Sequence, residues 1–228
     1  MPRYDWLIFD ADNTLYDFDA AERQAFDDLL RALGRPADAS VYDRYQIINQ
    51  QVWLLFEAGR LNADQVKVVR FSRLFGELGI RADAAEAAHR YLDFLGQYNM
   101  LLDQAADVIP KLAETHKLLL LTNGLSRVQR ARFTDSVLSP YFEDIIISEE
   151  VGAVKPQKAI FEAAFKRMGH PPRERVVMIG DKLSSDIKGG QDFGLDTIWY
   201  NPRLLPAPAD LCPTFTIKQL REIEALVQ

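Results

Sequence analysis

The sequence predicts an α/β fold: a parallel β-sheet with helices on both faces, interrupted after its first strand by an inserted helical cap. Three observations carry this. Short apolar runs at residues 4–10, 117–123, 144–148, 176–181 and 197–200 each end in small or polar residues, as strands buried on both faces do. From residue 117 onward, helical patterns separate those runs, and such alternation builds parallel sheets. Between residue 16 and about residue 100 no strand pattern occurs, only helical ones.

The first strand is Trp6-Leu7-Ile8-Phe9, which stops in Asp10-Ala11-Asp12-Asn13-Thr14. The carboxyl ends of such strands are where open α/β sheets place ligands. In an extended chain residues two apart face the same side, so Asp10 and Asp12 would repel. Unit charges ~4 Å apart repel by about 4 kcal/mol at an effective dielectric near 20. A cation, a shared proton or both must offset this. The ordinary alternative is an Asx turn closing a strand.

The next helix is expected to start at Asp19 with Glu22, both favoured at the positive helix end. Phe26, Leu29, Leu30 and Leu33 then recur at helical spacing, and Gly34 supplies a stop. Residues 41–58, 63–78 and 83–98 are helical in pattern. The insertion reads as a lid that excludes water and selects substrate. Trp53 and Phe56 within it could stack a base but read first as packing residues, and Arg70 could meet a substrate's polar edge but reads first as part of a solvated face.

Beyond the second strand, Pro156 suits a first helical position. Ile160, Phe161, Ala164, Phe165 and Met168 follow on one face, and Gly169 ends that helix. Gly189 and Gly190 fall inside a further helix, where each costs about 1 kcal/mol relative to alanine. Either a close backbone approach or an early helix end explains them. Residues 202–213 form a proline-bearing loop, 214–217 a last short strand, and Leu220, Ile223 and Val227 a final helix.

Composition narrows the function. The 228 residues are 48% apolar and 26% charged, an ordinary globular balance. A net charge of −6 argues against long nucleic acid, which requires a basic face. The longest apolar runs are too short to span a membrane, and no signal peptide fits the N-terminus. The lone Cys212 suits a reducing cytoplasm. His89, His116 and His170 read as structural or surface groups.

Four features sit at predicted strand ends or at a helix start. They are Asp10/Asp12, Thr122-Asn123-Gly124, Lys155 within Gly152-Ala153-Val154-Lys155-Pro156, and Gly180-Asp181 followed by Asp186. Alone, each is a turn, a solvated lysine or a loop start. Together they supply several acids, one lysine and one hydroxyl, the set that a metal-assisted phosphoryl site needs. Hard oxygen ligands select Mg²⁺.

These four ordered motifs resemble those of the haloacid dehalogenase-like (HAD) hydrolase superfamily, in its phosphatase branch. The strings Phe9-Asp10-Ala11-Asp12-Asn13-Thr14-Leu15, Leu121-Thr122-Asn123-Gly124 and Ser148-Glu149-Glu150-Val151-Gly152-Ala153-Val154-Lys155-Pro156 further resemble the bacterial pyrimidine 5′-nucleotidase group. The resemblance implies a Rossmann-like core at residues 1–16 and 102–228, with a cap at 17–101. It implies that Asp10 is the nucleophile, forming an aspartyl-phosphate, and that Asp12 is the general acid and base. Thr122, the Asn123 backbone amide and Lys155 would hold the phosphoryl group, with Lys155 neutralising charge. Asp10, the Asp12 main-chain carbonyl and Asp181 would bind Mg²⁺, with Asp186 behind them.

The activity so implied is a Mg²⁺-dependent phosphomonoesterase, foremost on a pyrimidine nucleoside 5′-monophosphate, in a cytoplasmic monomer or small homo-oligomer. A sugar phosphate or another small metabolite is the alternative substrate. A 2-haloacid dehalogenase is disfavoured, because a halide leaving group needs no acid such as Asp12. A non-catalytic binder is disfavoured by the completeness of the charged set.

Overall fold

The computed structural model describes residues 3–228. Its strands are β1 (Trp6–Phe9), β2 (Lys117–Thr122), β3 (Phe142–Ile147), β4 (Val176–Gly180), β5 (Asp196–Tyr200) and β6 (Phe215–Ile217). They form one sheet in the order β3-β2-β1-β4-β5-β6, and every neighbouring pair is parallel. Successive side chains on these apolar strands serve two separate cores. Leu7, Phe9, Leu118, Leu120, Val177 and Ile179 pack on one face; Trp6, Ile8, Leu119, Leu121, Val176 and Met178 pack on the other.

Helices cover both faces, as a buried parallel sheet requires. α5 (Ala105–Ala113) and the terminal α10 (Ile223–Leu226) join the first core through Val108, Ile109, Leu112 and Ile223. α8 (Lys158–Met168) and α9 (Lys188–Phe193) join the second through Ile160, Phe161, Phe165 and Phe193. Strand order turns in opposite directions from β1 and β4, so the crevice between their carboxyl ends is the switch point where α/β sheets bind ligands. Register fixes what meets there. Phe9 is level with Leu120 and Ile179, so Asp10 comes level with Leu121 and Gly180. Thr122 and Asp181 follow one residue beyond.

The insertion after β1 holds α1 (Phe18–Ala32), α2 (Ala39–Glu57), α3 (Ala63–Leu78) and α4 (Ala84–Gly96). These build a third apolar cluster around Phe26, Leu29, Tyr45, Phe71, Leu74 and Tyr91. Leu125 and Val128, from the start of α6 (Ser126–Thr134) and the residue before it, belong to the same cluster. α4 packs against α6, so the insertion rests on the ligand end of the sheet.

Some local expectations change. α1 starts at Phe18, one residue before Asp19, because the Asp17 carboxylate accepts from the Ala20 N–H and caps it. Pro156 is not a first helical residue: it follows a cis Lys155-Pro156 bond, and α8 begins at Lys158 behind Gln157. Gly189 and Gly190 are explained by close approach, though not to the ligand end. A Cβ on Gly189 would stand 2.7 Å from the Phe161 ring, and one on Gly190 2.8 Å from Thr197. They let α9 lie against α8 and the sheet.

Candidate active site

Asp10 follows directly on β1, its N–H bonded to the Ile179 carbonyl at 2.9 Å. Its carboxylate is buried, and its Oδ1 accepts from Lys155 Nζ at 2.5 Å. The same ammonium donates to the Leu121 carbonyl at 2.7 Å and pairs with Asp186 Oδ1 at 2.8 Å. All three Lys155 N–H bonds are therefore engaged within the protein.

Asp186 is fully enclosed. Its Oδ2 accepts from the Lys182 N–H at 3.0 Å and its Oδ1 from the Ser185 hydroxyl at 3.1 Å. A Cβ on Gly180 would lie 2.4 Å from Asp186 Oδ2, so the residue at the end of β4 has no room for a side chain. Asp181 follows it. The Asp181 N–H donates to the Thr14 hydroxyl at 3.1 Å, and that hydroxyl lies 3.3 Å from Asp10 Oδ2 and 3.5 Å from Asp181 Oδ1. Thr14 thus joins the two strand ends, a role its place in the motif did not announce.

Carboxylate oxygens of Asp10, Asp181 and Asp186 lie within 4.8 Å of one another. Burial pushes Asp10 up to about 7, with Lys155 pulling against it. Burial and the charges of Asp10 and Asp186 push Asp181 up to about 8. Burial disfavours the Lys155 charge, yet Asp10 and Asp186 outweigh it and hold its pKa above the ordinary lysine range. Three carboxylates against one ammonium leave two negative charges uncompensated when ionised. A divalent cation among oxygen ligands fits that deficit.

Thr122 is buried at the end of β2, and its Oγ1 accepts from the Gly124 N–H at 3.1 Å. The Asn123 side chain is turned away from any ligand role and holds the Lys155 backbone instead. Asp12 departs most from expectation. Its carboxylate is taken up by α6: Arg132 Nη1 donates to Oδ1 at 2.5 Å and Gln129 Nε2 to Oδ2 at 2.7 Å. Arg132 is itself buried, bonded to the Tyr98 carbonyl at 2.9 Å and laid over the Tyr16 ring. The two aspartates are thus relieved by two different protein cations, Lys155 and Arg132.

A cavity of about 760 Å³ opens above these groups. Its floor includes Asp10, Asp12, Thr122, Lys155, Asp181 and Asp186, and its opposite wall comes from α1, α2 and α3. Arg70 of α3 lines it and is 2% exposed, which corrects the solvated-face reading. Trp53 lines the cavity while packing edge-on to Phe56. Of the histidines, His116 is buried between the Leu112 and Val227 carbonyls, and His89 lies on the surface beside Arg127. Cys212 is exposed. No helix among the described residues is long and apolar enough to cross a membrane.

A switch-point aspartate clamped by a buried lysine, with further acids just past the neighbouring strand β4, defines a class of hydrolase built on an open α/β sheet. The chain belongs to the haloacid dehalogenase-like hydrolase family, whose model matches residues 4–194. It is 41% identical over 223 residues to the HAD-hydrolase YfnB of Bacillus subtilis, covering 98% of this chain and 95% of that protein. It is 36% identical over 222 residues to the pyrimidine 5′-nucleotidase PynA of Streptococcus pneumoniae, covering 96% and 93%. The crystal structure of YfnB bound to magnesium, in which interdomain movement is described, shares the fold with a TM-score of 0.92 over 98% of both chains.

Proposed function

We propose that the protein is a Mg²⁺-dependent phosphomonoesterase that works through an aspartyl-phosphate on Asp10, with a pyrimidine nucleoside 5′-monophosphate as its substrate. The observation that carries this reading is the cluster of Asp10, Asp181 and Asp186 around Lys155, at the floor of a cavity much larger than a phosphate. The 36% identity to a protein named as a pyrimidine 5′-nucleotidase supports the substrate class.

Mg²⁺ held by Asp10, Asp181 and the Asp12 carbonyl would supply charge neutralisation at the phosphoryl oxygens. The protein's own groups do the rest. Lys155 holds Asp10 and lowers its repulsion from an anionic ester. An Asp10 carboxylate oxygen attacks phosphorus, the P–O bond to the alcohol breaks, and the phosphoryl group passes to Asp10. Asp12, protonated from solvent once one of its bonds to Arg132 or Gln129 is released, delivers that proton to the departing alkoxide. Asp12 then takes a proton from water, which attacks phosphorus and frees Asp10. Thr122 and the Asn123 N–H bind phosphoryl oxygens, and Asp186 keeps Lys155 in place. Dividing one hard displacement into two easier ones is what makes a carboxylate nucleophile useful.

Residues 17–101 act in this reading as a cap that shields the covalent intermediate, over a core of residues 1–16 and 102–228. Ion pairs cross between the insertion and segments that follow β3 and β5, as in Lys67–Glu149 at 2.7 Å and Arg203–Asp19 at 3.0 Å. The test is hydrolysis of uridine 5′-monophosphate by the purified protein with Mg²⁺, beside ribose 5-phosphate. Preferred release of phosphate from the nucleotide, lost on chelation and in Asp10→Asn, is the expected result. Preference for the sugar phosphate would replace the substrate class and keep the mechanism.

A further inference from the structure

The cap wall of the cavity carries a polar cluster that the chemistry at Asp10 does not use. Glu22 of α1, Asn49 of α2 and Arg70 of α3 all line the cavity, and are 6%, 7% and 2% exposed. Asn49 is fixed in polarity: its Nδ2 donates to Glu22 Oε1 at 2.8 Å and its Oδ1 accepts from Arg70 Nη1 at 3.3 Å. Arg70 also donates to the Tyr45 hydroxyl at 3.3 Å and the Lys67 carbonyl at 3.4 Å, and lies over the Tyr91 ring. Its Nη2 has no hydrogen-bond partner in the protein.

A buried N–H donor without an acceptor is costly, so a ligand that brings an acceptor gains by satisfying it. The surrounding charge decides which acceptor fits. On the cap side, Asp19, Glu22 and Asp43 line the cavity against the single Arg70. Asp19 is paired with Arg203, and Glu22 already compensates Arg70 through Asn49. A second phosphate or a carboxylate on the leaving group would meet excess negative charge there. A neutral carbonyl oxygen would not.

We propose that Arg70, set by Asn49 and Glu22, binds a neutral carbonyl oxygen on the leaving alcohol of the substrate. This rests on the nucleotidase reading above, under which the oxygen belongs to the base. Every pyrimidine base of RNA and DNA carries a ring carbonyl, whereas adenine carries none. The cluster therefore selects uracil-, cytosine- and thymine-type nucleotides over adenine, and uncharged bases over carboxylated ones. Discrimination by a buried polar group left unpaired with the wrong substrate is the strong kind.

The test is a comparison of kcat/KM for uridine 5′-monophosphate, adenosine 5′-monophosphate, 5-carboxyuridine 5′-monophosphate and ribose 5-phosphate, in the intact chain with Mg²⁺ at about pH 8, where Glu22 is ionised. The uridine nucleotide is expected to exceed both the adenosine and the carboxylated nucleotide by about tenfold or more. Arg70→Met, which keeps bulk and removes the N–H groups, should bring the uridine-to-adenosine ratio towards one. Glu22→Gln should raise the carboxylated nucleotide relative to uridine, and it decides the matter if Arg70→Met fails to fold. Equal turnover of the uridine and adenosine nucleotides overturns the carbonyl contact and leaves the nucleotidase standing. So does an unchanged ratio in folded Arg70→Met, or unchanged charge discrimination in Glu22→Gln. Preference for ribose 5-phosphate overturns the nucleotidase reading and this inference with it.

Discussion

The side chain of Asn123 holds the main chain of Lys155 at two points. Its Oδ1 accepts from the Lys155 N–H at 2.7 Å and its Nδ2 donates to the Lys155 carbonyl at 2.9 Å. The loop after β2 thereby fixes the residue whose ammonium holds Asp10. Asn123→Ala should lose about 1–3 kcal/mol of stability in urea and about tenfold or more in kcat. Asn123→Asp keeps the acceptor alone and should fall between. Full activity in Asn123→Ala would show that Lys155 is positioned without the clasp.

Lys155 itself answers to three acceptors, and its removal leaves Asp10 and Asp186 buried without their cation. Lys155→Ala should lose turnover at every practical Mg²⁺ concentration and be destabilised by about 3–5 kcal/mol. Recovery of turnover by added Mg²⁺ alone would reduce the lysine to one part of a shared charge balance.

Arg132 and Gln129 hold both oxygens of Asp12, and under the proposed mechanism that makes them positioning residues for the proton donor. Arg132→Met should harm a poor leaving group more than a good one, because an aryl phosphate departs with little help from an acid. The expected loss is about tenfold greater for a nucleotide than for p-nitrophenyl phosphate. Equal losses for both esters would assign Arg132 a purely structural part.

Glu22 gives the insertion a pH dependence. Burial pushes its carboxyl up to about 7, against the pull of Arg70; Asp19 adds to the rise, and Tyr42 and Tyr45 oppose it. The nearby Tyr91 hydroxyl stays protonated, held above the ordinary tyrosine range by burial. The folded chain keeps a proton on Glu22 where the unfolded chain has lost it, so this group's contribution to stability falls as pH rises from about 4.5 to about 7. Glu22→Gln removes that slope. The stability of the variant relative to the parent should improve across this window by up to about 3 kcal/mol. Urea unfolding at pH 4.5 and pH 8 measures it, and a pH-independent difference would contradict it.

The sheet is legible in the sequence because strands buried on both faces are continuous apolar runs, such as Leu118 to Leu121. The groups at their ends are legible because Asp10 and Asp181 stand one step past a strand and Thr122 closes one. α5 is harder to read: its N-cap Gln104 has a positive φ and makes no side-chain bond that caps the helix, and Pro110 lies inside it. Arg70 and Arg132 are illegible for another reason. α6 reads Ser-Arg-Val-Gln-Arg-Ala-Arg-Phe-Thr, with too few apolar residues to reveal a buried face. Arg132 is buried because Asp12, 120 residues away in the chain, and the Tyr16 ring receive it. The sole local sign is that Val128, Gln129 and Arg132 share one side of the helix. Such pairings are tertiary, and no periodicity encodes them.

The central claim is that Asp10 carries the phosphoryl group between substrate and water. The most direct measurement is the mass of the Asp12→Asn protein, quenched in acid after brief exposure to Mg²⁺ and p-nitrophenyl phosphate, whose leaving group departs without an acid, followed by peptide mapping. Without the base that activates water, the covalent intermediate should accumulate, with one phosphoryl group on the peptide that contains Asp10 and none in Asp10→Asn. A parent protein that hydrolyses the ester while no adduct forms, or an adduct that survives in Asp10→Asn, would contradict it.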